Sequence, residues 1–440
     1  MSSQYMDMTA AAAESSSWDR LDPSDPVVVI GAGIVGVSAA YHLLRSGARD
    51  VTVVDRNEPG GGTTAAGAGF VALWAAGMGD FGAAGLALEQ YSLDFYRRLH
   101  EEGHEISYRN DGNLVLAVTR ERYEQYVQVL VDHPFASPGT RAISAAEVAE
   151  RTGVVDASAV AGGVLMPSGI QLETGQAVTA VAGLVETMGG RVLTDATVEG
   201  LVRDGEQVTA VRTTAGDLPA AAVVVAAGAW TNRILAHLDV RLPLLPFVAT
   251  RIVTEVCGVP DSMPTIQCRE FPLWLRESGG GLTFGTSAGY RAAFQLAPPG
   301  GSLPFGRPRK PELFDAVRAH SHVLDRVFPG ISELPVKSWL QGMPVYTPDG
   351  QLVIGRVPGC PNAIVLGGDN ETGVSHGPAM GRAGAQLVRG DTSFTDLASF
   401  RPDRFDPAEF PDDTSMYEHL EGVVWKTRPW PPAEAEPTTR

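Results

Sequence analysis

The sequence predicts an α/β fold with a parallel, helix-flanked sheet and a second, α+β domain built on a large, mostly antiparallel sheet. Three observations predict it. The apolar run VVVI at 27–30 leads through a glycine-rich turn into a helical stretch, and a second apolar strand follows at 51–54. The apolar run at 221–227 suits the centre of a parallel sheet covered on both faces. Between 244 and 337 the strands alternate, and the glycines at 279–281 predict a hairpin.

The first turn reads G-x-G-x-x-G at 31–36. Gly31 permits the tight turn, Gly33 lets a pyrophosphate approach the backbone, and Gly36 lets the helix pack close to the strand. The second strand ends on Asp55, whose carboxylate can accept a hydrogen bond from a ribose hydroxyl and would repel a 2′-phosphate. The order of strand, helix, strand and acid predicts a dinucleotide site, and the alternative is a glycine-rich turn without a ligand.

Two further segments of small residues follow predicted strands. The run GGGTTAAGAGF at 60–70 suits a segment that lies flat against a planar ligand, with the hydroxyls of Thr63 and Thr64 free for phosphate. The alternative is a flexible surface loop. The strand at 363–366 leads into GGDNETGV and then a helix predicted over His376–Val388. The N-terminus of that helix can hold partial negative charge on a ligand.

Composition narrows the class of protein. The 440 residues are 44% hydrophobic and 19% charged, which predicts two or three globular domains. A net charge of -17 disfavours nucleic acid and anionic membranes as partners. The three cysteines form no C-x-x-C pair, and no His/Cys/Asp spacing predicts a metal site. Because no signal peptide or apolar run of membrane length is recognised, we expect a cytoplasmic protein with no membrane partner.

Four blocks of the sequence together resemble one family of flavoenzymes. They are VVVIGAGIVG with Asp55, GGGTTAAGAGF, VVVAAGAWTNRIL, and TPDGQLVIG followed by GGDNETGVSHGPAMG. In this order they resemble the DAO family, which includes D-amino-acid oxidase, glycine oxidase and sarcosine oxidase. The resemblance implies FAD in a Rossmann-like βαβ domain assembled from 26–100, 155–243 and 338–395. It implies a substrate domain from 101–154 and 244–337, with a mobile lead at 1–25 and a C-terminal extension at 396–440.

The resemblance also implies site residues by matching position. The cofactor positions are Gly31, Gly33, Ile34, Val35, Gly36, Asp55, Arg56, Thr63, Thr64, Ala68, Gly69, Phe70, Val198, Ala227, Gly228, Trp230, Gly342, Asp369, Asn370, Glu371, Thr372, Gly373, Val374 and Ser375. The residues predicted around the substrate are Phe70, Trp274, Arg269, Met343 and Tyr346. For Arg269 the alternative is a solvated strand arginine. Trp74 and Trp274 could both form walls of the pocket, and the alternative for each is core packing.

Five positions depart from the family pattern. Pro344 and Glu371 stand where glycine oxidase-like members have arginines that bind the substrate carboxylate, and Asp369 replaces a histidine. Thr283 stands at the lysine that helps oxygen react in sarcosine oxidase-like members. Gln341 stands at their flavin-linking cysteine, which implies FAD held without a covalent bond there. The usual carboxylate clamp is therefore missing, and oxygen reactivity stays open.

The chemistry implied by the family is hydride transfer from a C–H bond next to nitrogen to flavin N5, giving an imine. Glu371 is the predicted catalytic residue, because its carboxylate could bind or deprotonate a cationic amine. The alternative is an acid that only neighbours the flavin. The partners expected are a small amine or amino-acid-like substrate and oxygen or another electron acceptor. A dehydrogenase, a biosynthetic oxidase whose imine cyclises, and a non-catalytic flavin-binding subunit remain open alternatives.

Overall fold

A computed structural model describes residues 21–73, 82–133, 136–271, 273–297 and 306–423. Trp74, nearly all of the predicted lead and the last part of the C-terminal extension lie outside the described residues. Within them, the helices are α1 (Ile34–Arg45), α2 (Gly82–Glu101), α3 (Arg120–Tyr126), α4 (Ala145–Thr152), α5 (Thr174–Thr187), α6 (Thr231–Leu235), α7 (Pro311–Leu324), α8 (Gly373–Arg389) and α9 (Asp413–Val423).

The strands also follow the chain in order. They are β1 (Val27–Ile30), β2 (Val51–Val54), β3 (Phe70–Val71), β4 (Asn113–Ala117), β5 (Arg141–Ser144), β6 (Gly162–Met166), β7 (Ile170–Gln171), β8 (Arg191–Leu193), β9 (Val198–Asp204), β10 (Gln207–Thr213), β11 (Gly216–Pro219), β12 (Ala222–Val225), β13 (Leu245–Thr254), β14 (Thr265–Cys268), β15 (Leu273–Ser278), β16 (Gly281–Thr286), β17 (Tyr290–Ala292), β18 (Val336–Gly342), β19 (Val345–Tyr346), β20 (Val353–Val357) and β21 (Cys360–Gly367).

The first sheet has six strands in the order β20-β21-β12-β1-β2-β8, and all pair in parallel except β20. The central strands β1 and β12 are apolar throughout because both faces of the sheet are covered there. Val27 and Val29 point into a core shared with α1, α2, α5 and α8. Val28 and Ile30 point to the opposite face, where they pack with residues of β10. The α/β class and the Rossmann-like arrangement predicted from the sequence are therefore confirmed.

The second large sheet has ten strands and is mostly antiparallel, with β14 and β4 as a parallel pair. One face packs on a core that includes Leu275, Phe284 and Val317, the last from α7. Residues that alternate with these along the strands face the other way, toward the first sheet. The hairpin predicted at 279–281 joins β15 and β16.

The sheet pairings correct one limit of the predicted domains. Strand β6 lies in the range 155–243 assigned to the nucleotide domain, but it pairs with β4 and β5 in the ten-stranded sheet. The cause is a long-range pairing, Asn113 with Met166, that no local pattern reveals. The other domain limits stay a prediction. Among the described helices, none combines the length and the apolar character that crossing a bilayer requires.

Candidate active site

A cavity of about 320 Å³ opens at the carboxyl ends of β1, β12 and β21, between the two large sheets. Ligands of open α/β sheets bind at this edge. Every residue predicted for cofactor or substrate lines the cavity except Gly36 and Tyr346. The structure therefore brings together segments that are more than 340 residues apart in the sequence, such as those of Gly31 and Gly373.

The turn between β1 and α1 forms one end of the cavity. Gly31 has φ +111°, and a Cβ there would lie 2.3 Å from the carbonyl oxygen of Ala226. Gly33 precedes α1 without a side-chain cap, so the first N–H groups of the helix are open to a ligand apart from that of Ile34, which donates to Thr64 Oγ1. Such a helix start binds phosphate through its N–H groups and its dipole. The turn fits the pyrophosphate of a dinucleotide.

Gly36 does not line the cavity, although the family resemblance places it among the cofactor positions, and it has the packing role that the motif predicts. A Cβ on Gly36 would lie 1.9 Å from the carbonyl oxygen of Gly31. Gly36 thus supports the site from behind, because only a residue without a side chain lets α1 approach the turn that closely.

Both carboxylate oxygens of Asp55 accept hydrogen bonds, and one of them holds the turn. Oδ2 accepts from Ala32 N at 2.8 Å and Oδ1 accepts from Asn57 N at 2.8 Å. Each oxygen keeps a second lone pair that can accept from a ribose hydroxyl. Close by, the Arg56 guanidinium lies 3.8 Å from the centre of the Trp230 ring, a cation–π contact. This end of the cavity fits the adenosine half of the ligand.

Thr63 corrects another expectation. Its hydroxyl, predicted to be free for phosphate, donates to Met343 O at 3.1 Å and accepts from Met343 N at 2.9 Å. The two residues are 280 positions apart, and the pair of hydrogen bonds ties segment 60–70 to the residue that follows β18. Thr64 accepts from Ile34 N and can still donate its hydroxyl hydrogen to a ligand.

Arg276 joins the same segment to the ten-stranded sheet. Its side chain is 4% exposed, and it donates to Ala68 O, to Glu277 O at 2.9 Å and to Glu173 Oε1 at 2.7 Å. It does not line the cavity. The structure gives Arg276 the role of a brace between the glycine-rich segment and the sheet, and this explains why its charge is buried.

Arg276→Gln is expected to lower the free energy of unfolding by about 3 kcal/mol, because it leaves Glu173 and two carbonyls without their charged donor. Urea unfolding followed by circular dichroism measures the change. Arg212→Gln, at an exposed arginine on β10, is the matched control and is expected to stay within about 0.5 kcal/mol of the parent. Equal losses in the two variants would contradict the bracing role.

The turn after β21 carries Glu371, which also lines the cavity. Asn370 and Glu371 have φ values of 43° and 73°, an uncommon conformation for residues with side chains. The turn is held by Asp369 Oδ1, which accepts from Val345 N at 2.9 Å, and by Asn370 Oδ1, which accepts from Thr347 N at 3.0 Å. Removal of its carboxyl from bulk water raises the pKa of Glu371 well above the usual value, although the cavity leaves the residue partly exposed.

Tyr346 lies behind Glu371 and does not contact the cavity, which corrects its prediction as a substrate residue. Its ring packs edge-on against Phe247, with centroids 5.1 Å apart, in a small core that also includes Met416 of α9. The Tyr346 hydroxyl donates to Glu371 Oε2 at 3.4 Å. Tyr346 therefore supports the acid from behind.

His376 follows the same turn and is fully buried in the first turns of α8. Its Nδ1 lies 3.0 Å from Thr372 Oγ1, and its Nε2 lies 3.7 Å from Glu89 Oε1. Burial lowers the pKa of His376 to about 4, so the ring is neutral near pH 7. The helix predicted from His376 begins at Gly373, where His376 N donates to Thr372 O at 3.0 Å and closes its first turn.

Two of the five departures from the family pattern do not line the cavity. Gln341 Nε2 donates to Thr250 Oγ1 and to Lys310 O, both at 2.9 Å, and Thr283 Oγ1 donates to Ile252 O at 2.9 Å. Neither side chain lines the cavity, and its described lining contains no lysine. No cluster suited to a metal ion occurs in the described ranges.

The cavity also contains residues that sequence reasoning missed. They are chiefly Arg233, Arg251, Gln267 and Tyr290. Arg233 lies inside the block VVVAAGAWTNRIL, so the motif could have indicated it. The other three lie on strands of the ten-stranded sheet, where alternation separates two faces without telling which face meets the ligand.

Comparison with known proteins identifies one family. The family model described as "FAD dependent oxidoreductase", DAO, matches residues 26–387. The chain is 28% identical to 4-methylaminobutanoate oxidase (formaldehyde-forming) of Paenarthrobacter nicotinovorans, covering 91% of this chain and 48% of that protein. It is 24% identical to human mitochondrial dimethylglycine dehydrogenase, and the match covers 90% of this chain and 45% of that protein. The chain thus spans about half the length of these curated relatives.

Shorter relatives are matched over nearly their whole length. Glycine oxidase of Pseudomonas aeruginosa is 26% identical, with 86% of this chain and 99% of that protein covered. The crystal structure of L-proline dehydrogenase from P. horikoshii superposes with a TM-score of 0.75 at 22% identity, covering 88% of this chain and 99% of that one. Glycine oxidase from Geobacillus kaustophilus gives a TM-score of 0.74 at 22% identity, with 87% and 99% covered. At this identity the two structures support the fold alone.

Proposed function

The chain belongs to the DAO family of FAD-dependent oxidoreductases, and from that membership we propose that it oxidises a C–N bond of an amine or amino-acid-like substrate. When bound, FAD supplies the acceptor for the hydride of a C–H bond next to a neutral nitrogen. The residues suited to hold FAD are those at the three strand ends: the α1 start with Thr64 for the pyrophosphate, Asp55 for the ribose, and the turn at 369–375 for the ring.

The observation that carries the proposal is the acid at the ring end. An alkyl amine is protonated near neutral pH and has to lose that proton before its C–H bond can be oxidised. Glu371 lines the cavity, and removal from bulk water raises its pKa, which makes its carboxylate a stronger base than an exposed one. Phe70 and Trp274, whose ring centroids are 6.1 Å apart, wall the cavity and keep water from the reacting bond.

The relatives' names support an N-alkylated substrate. Two of them refer to methylated amino acids, 4-methylaminobutanoate and dimethylglycine. The test is anaerobic mixing of the FAD-loaded protein with amines, N-methyl amino acids and amino acids, with flavin absorbance as readout and mass spectrometry of the product. We expect at least one N-alkyl compound to bleach the flavin and yield the dealkylated amine. If dithionite bleaches the flavin but none of the nitrogen compounds does, the result would favour a non-catalytic flavin-binding subunit.

A second candidate, a dehydrogenase that passes electrons to an acceptor other than oxygen, is favoured by Thr283. This residue stands where the family resemblance implies an oxygen-activating lysine, and it is fully buried with its hydroxyl bonded to Ile252 O. We also propose a cytoplasmic location, which the three cysteines support because none of them is in a disulfide in the described residues.

Stopped-flow mixing of the reduced protein with aerated buffer tests the dehydrogenase candidate. A reduced flavin that reoxidises slowly in air and rapidly with an artificial acceptor would support a dehydrogenase. A protein that reacts rapidly with oxygen would argue for an oxidase.

A further inference from the structure

Arg251 of β13 is a buried cation on the wall of the cavity that the sequence did not point to. It lines the cavity and is 7% exposed. Its Nε has no hydrogen-bond partner among the residues that the structure describes. Within the same described ranges, the guanidinium makes one long contact, from Nη2 to Ala65 O at 3.4 Å. Most of the five N–H donors of the Arg251 guanidinium therefore remain available to a ligand in the cavity.

The charge of Arg251 is also poorly compensated. Burial lowers its pKa to about 10, and the neighbouring cation of Arg276 acts in the same direction. Glu173 raises it, but the Glu173 carboxylate already accepts from Arg276 at 2.7 Å. With a pKa of about 10 Arg251 is still charged near pH 7. Because a buried charge without a close partner is unfavourable, we expect an anion to enter beside it.

The position of Arg251 decides which anion fits. The residues suited to the adenosine and the pyrophosphate are on other elements, Asp55 after β2 and the start of α1, whereas Arg251 is on β13 of the ten-stranded sheet. On the ten-stranded sheet Ile252 pairs with Phe284, and the next residue, Gly285, pairs with Trp274. Arg251 and Trp274 therefore lie on the same face, one strand apart. A Cβ on Gly285 would lie 2.8 Å from the Trp274 ring, so the indole covers the gap between them.

We propose that Arg251 binds the carboxylate of the substrate, so that the substrate class is an amino acid whose nitrogen faces Glu371. The inference rests on the proposed function and deepens it. An apolar chain between the two charged groups would pack on Trp274, and the guanidinium would receive the anion that its unused donors suit. The carboxylate-binding arginine would then lie on β13. The two positions at which glycine oxidase-like enzymes have such arginines are occupied here by Pro344 and Glu371.

The first test measures binding without turnover. Butanoate and its neutral counterpart butanamide are titrated into the FAD-loaded protein, and the perturbed flavin spectrum gives each dissociation constant. For the parent we expect butanoate to bind more tightly than butanamide. Arg251→Gln is expected to weaken butanoate about 10- to 100-fold and butanamide less than twofold, because only the anion loses a charged donor. Arg212→Gln, at an exposed site outside the cavity, is expected to change neither.

The second test uses the reaction. Flavin reduction by 4-methylaminobutanoate is compared with reduction by N-methylbutylamine, which lacks the carboxylate. Arg251→Gln is expected to raise the apparent dissociation constant of the amino acid about 10- to 100-fold at an unchanged limiting rate, with no change for the amine. Arg251→Lys keeps the charge with fewer donors and should give an intermediate value. This variant also carries the test if Arg251→Gln does not retain FAD.

Three results would overturn the inference: butanoate that does not bind the parent, an equal loss for the charged and neutral ligands, or an equal change in flavin reduction with every substrate. The last would mean that Arg251 acts on the flavin itself. Failure of the proposed function would give a different result. In that case butanoate binding would still depend on Arg251, but no amine would reduce the flavin.

Discussion

Gly36→Ala is expected to yield a protein that does not retain FAD and whose free energy of unfolding is lower by about 3 kcal/mol. The new Cβ would lie 1.9 Å from the carbonyl oxygen of Gly31 and 3.0 Å from its carbonyl carbon. That backbone cannot give way cheaply, because Gly31 N donates to Val54 O at 2.9 Å. Moving α1 away instead would displace the N–H groups that receive the pyrophosphate.

Flavin absorbance of the purified variant and urea unfolding of its apoprotein measure the two effects. The matched control is Gly183→Ala, another glycine within a helix, which is exposed and where an added Cβ would meet no other segment of the chain within 4 Å. This control is expected to keep FAD and to gain about 0.5–1 kcal/mol from helix propensity. A yellow Gly36→Ala protein of parental stability would show that α1 and its turn are less tightly packed than the distances indicate.

Glu371→Gln is expected to lower the rate constant for flavin reduction at low amine concentration by about 100-fold, because the amide cannot accept a proton. The parent rate should rise with pH as Glu371 loses its proton, and since the pKa of Glu371 is raised, that rise begins above the range of an exposed glutamate. In the Glu371→Gln variant, the rate constant should no longer rise with ionisation of residue 371. Its remaining pH dependence should come only from deprotonation of the amine substrate. Anaerobic stopped-flow reduction from pH 6 to 10 measures both.

The same substitution predicts a change in stability with pH. A carboxyl whose pKa is raised by folding stabilises the protein fully below the pKa of the unfolded chain, and that contribution is lost as pH rises through the folded pKa. The advantage of Glu371→Gln over the parent should therefore grow with pH, by at most about 1.4 kcal/mol per pH unit. Glu58→Gln, at an exposed acid outside the cavity lining, is the control for both measurements. Parental rates in Glu371→Gln would remove the acid from the mechanism.

Much of the nucleotide half of the site could be predicted because its signals are local. Gly31 and Gly33 are determined by the backbone conformation of one turn, and Asp55 directly follows the next strand, so the spacing alone indicated which part of the ligand each would contact. The same holds for the hairpin glycines at 279–281, which join β15 and β16. The family resemblance, which the matched family model confirms, rests on these same short blocks.

The substrate half was less predictable, since it is formed by contacts between distant segments. Thr63 bonds to Met343, 280 residues away, and Tyr346 turns its hydroxyl to Glu371 from outside the cavity. Neither contact can be predicted from a pattern in the residues next to it in the sequence. Arg251 is an extreme case, because an arginine on an alternating strand is ordinarily a solvated one, and only the closure of the two sheets buries it.

The sequence by itself determined the α/β class, the dinucleotide turn and the family, because backbone conformation and hydrophobic period depend on residues close together in the chain. Only the tertiary structure decided that β6 joins the ten-stranded sheet, that Arg276 is a brace, and that Arg251 lines the cavity. The physical reason is that burial and charge pairing depend on which segments pack together. That packing minimises the free energy of the whole chain, and no single stretch of residues specifies it.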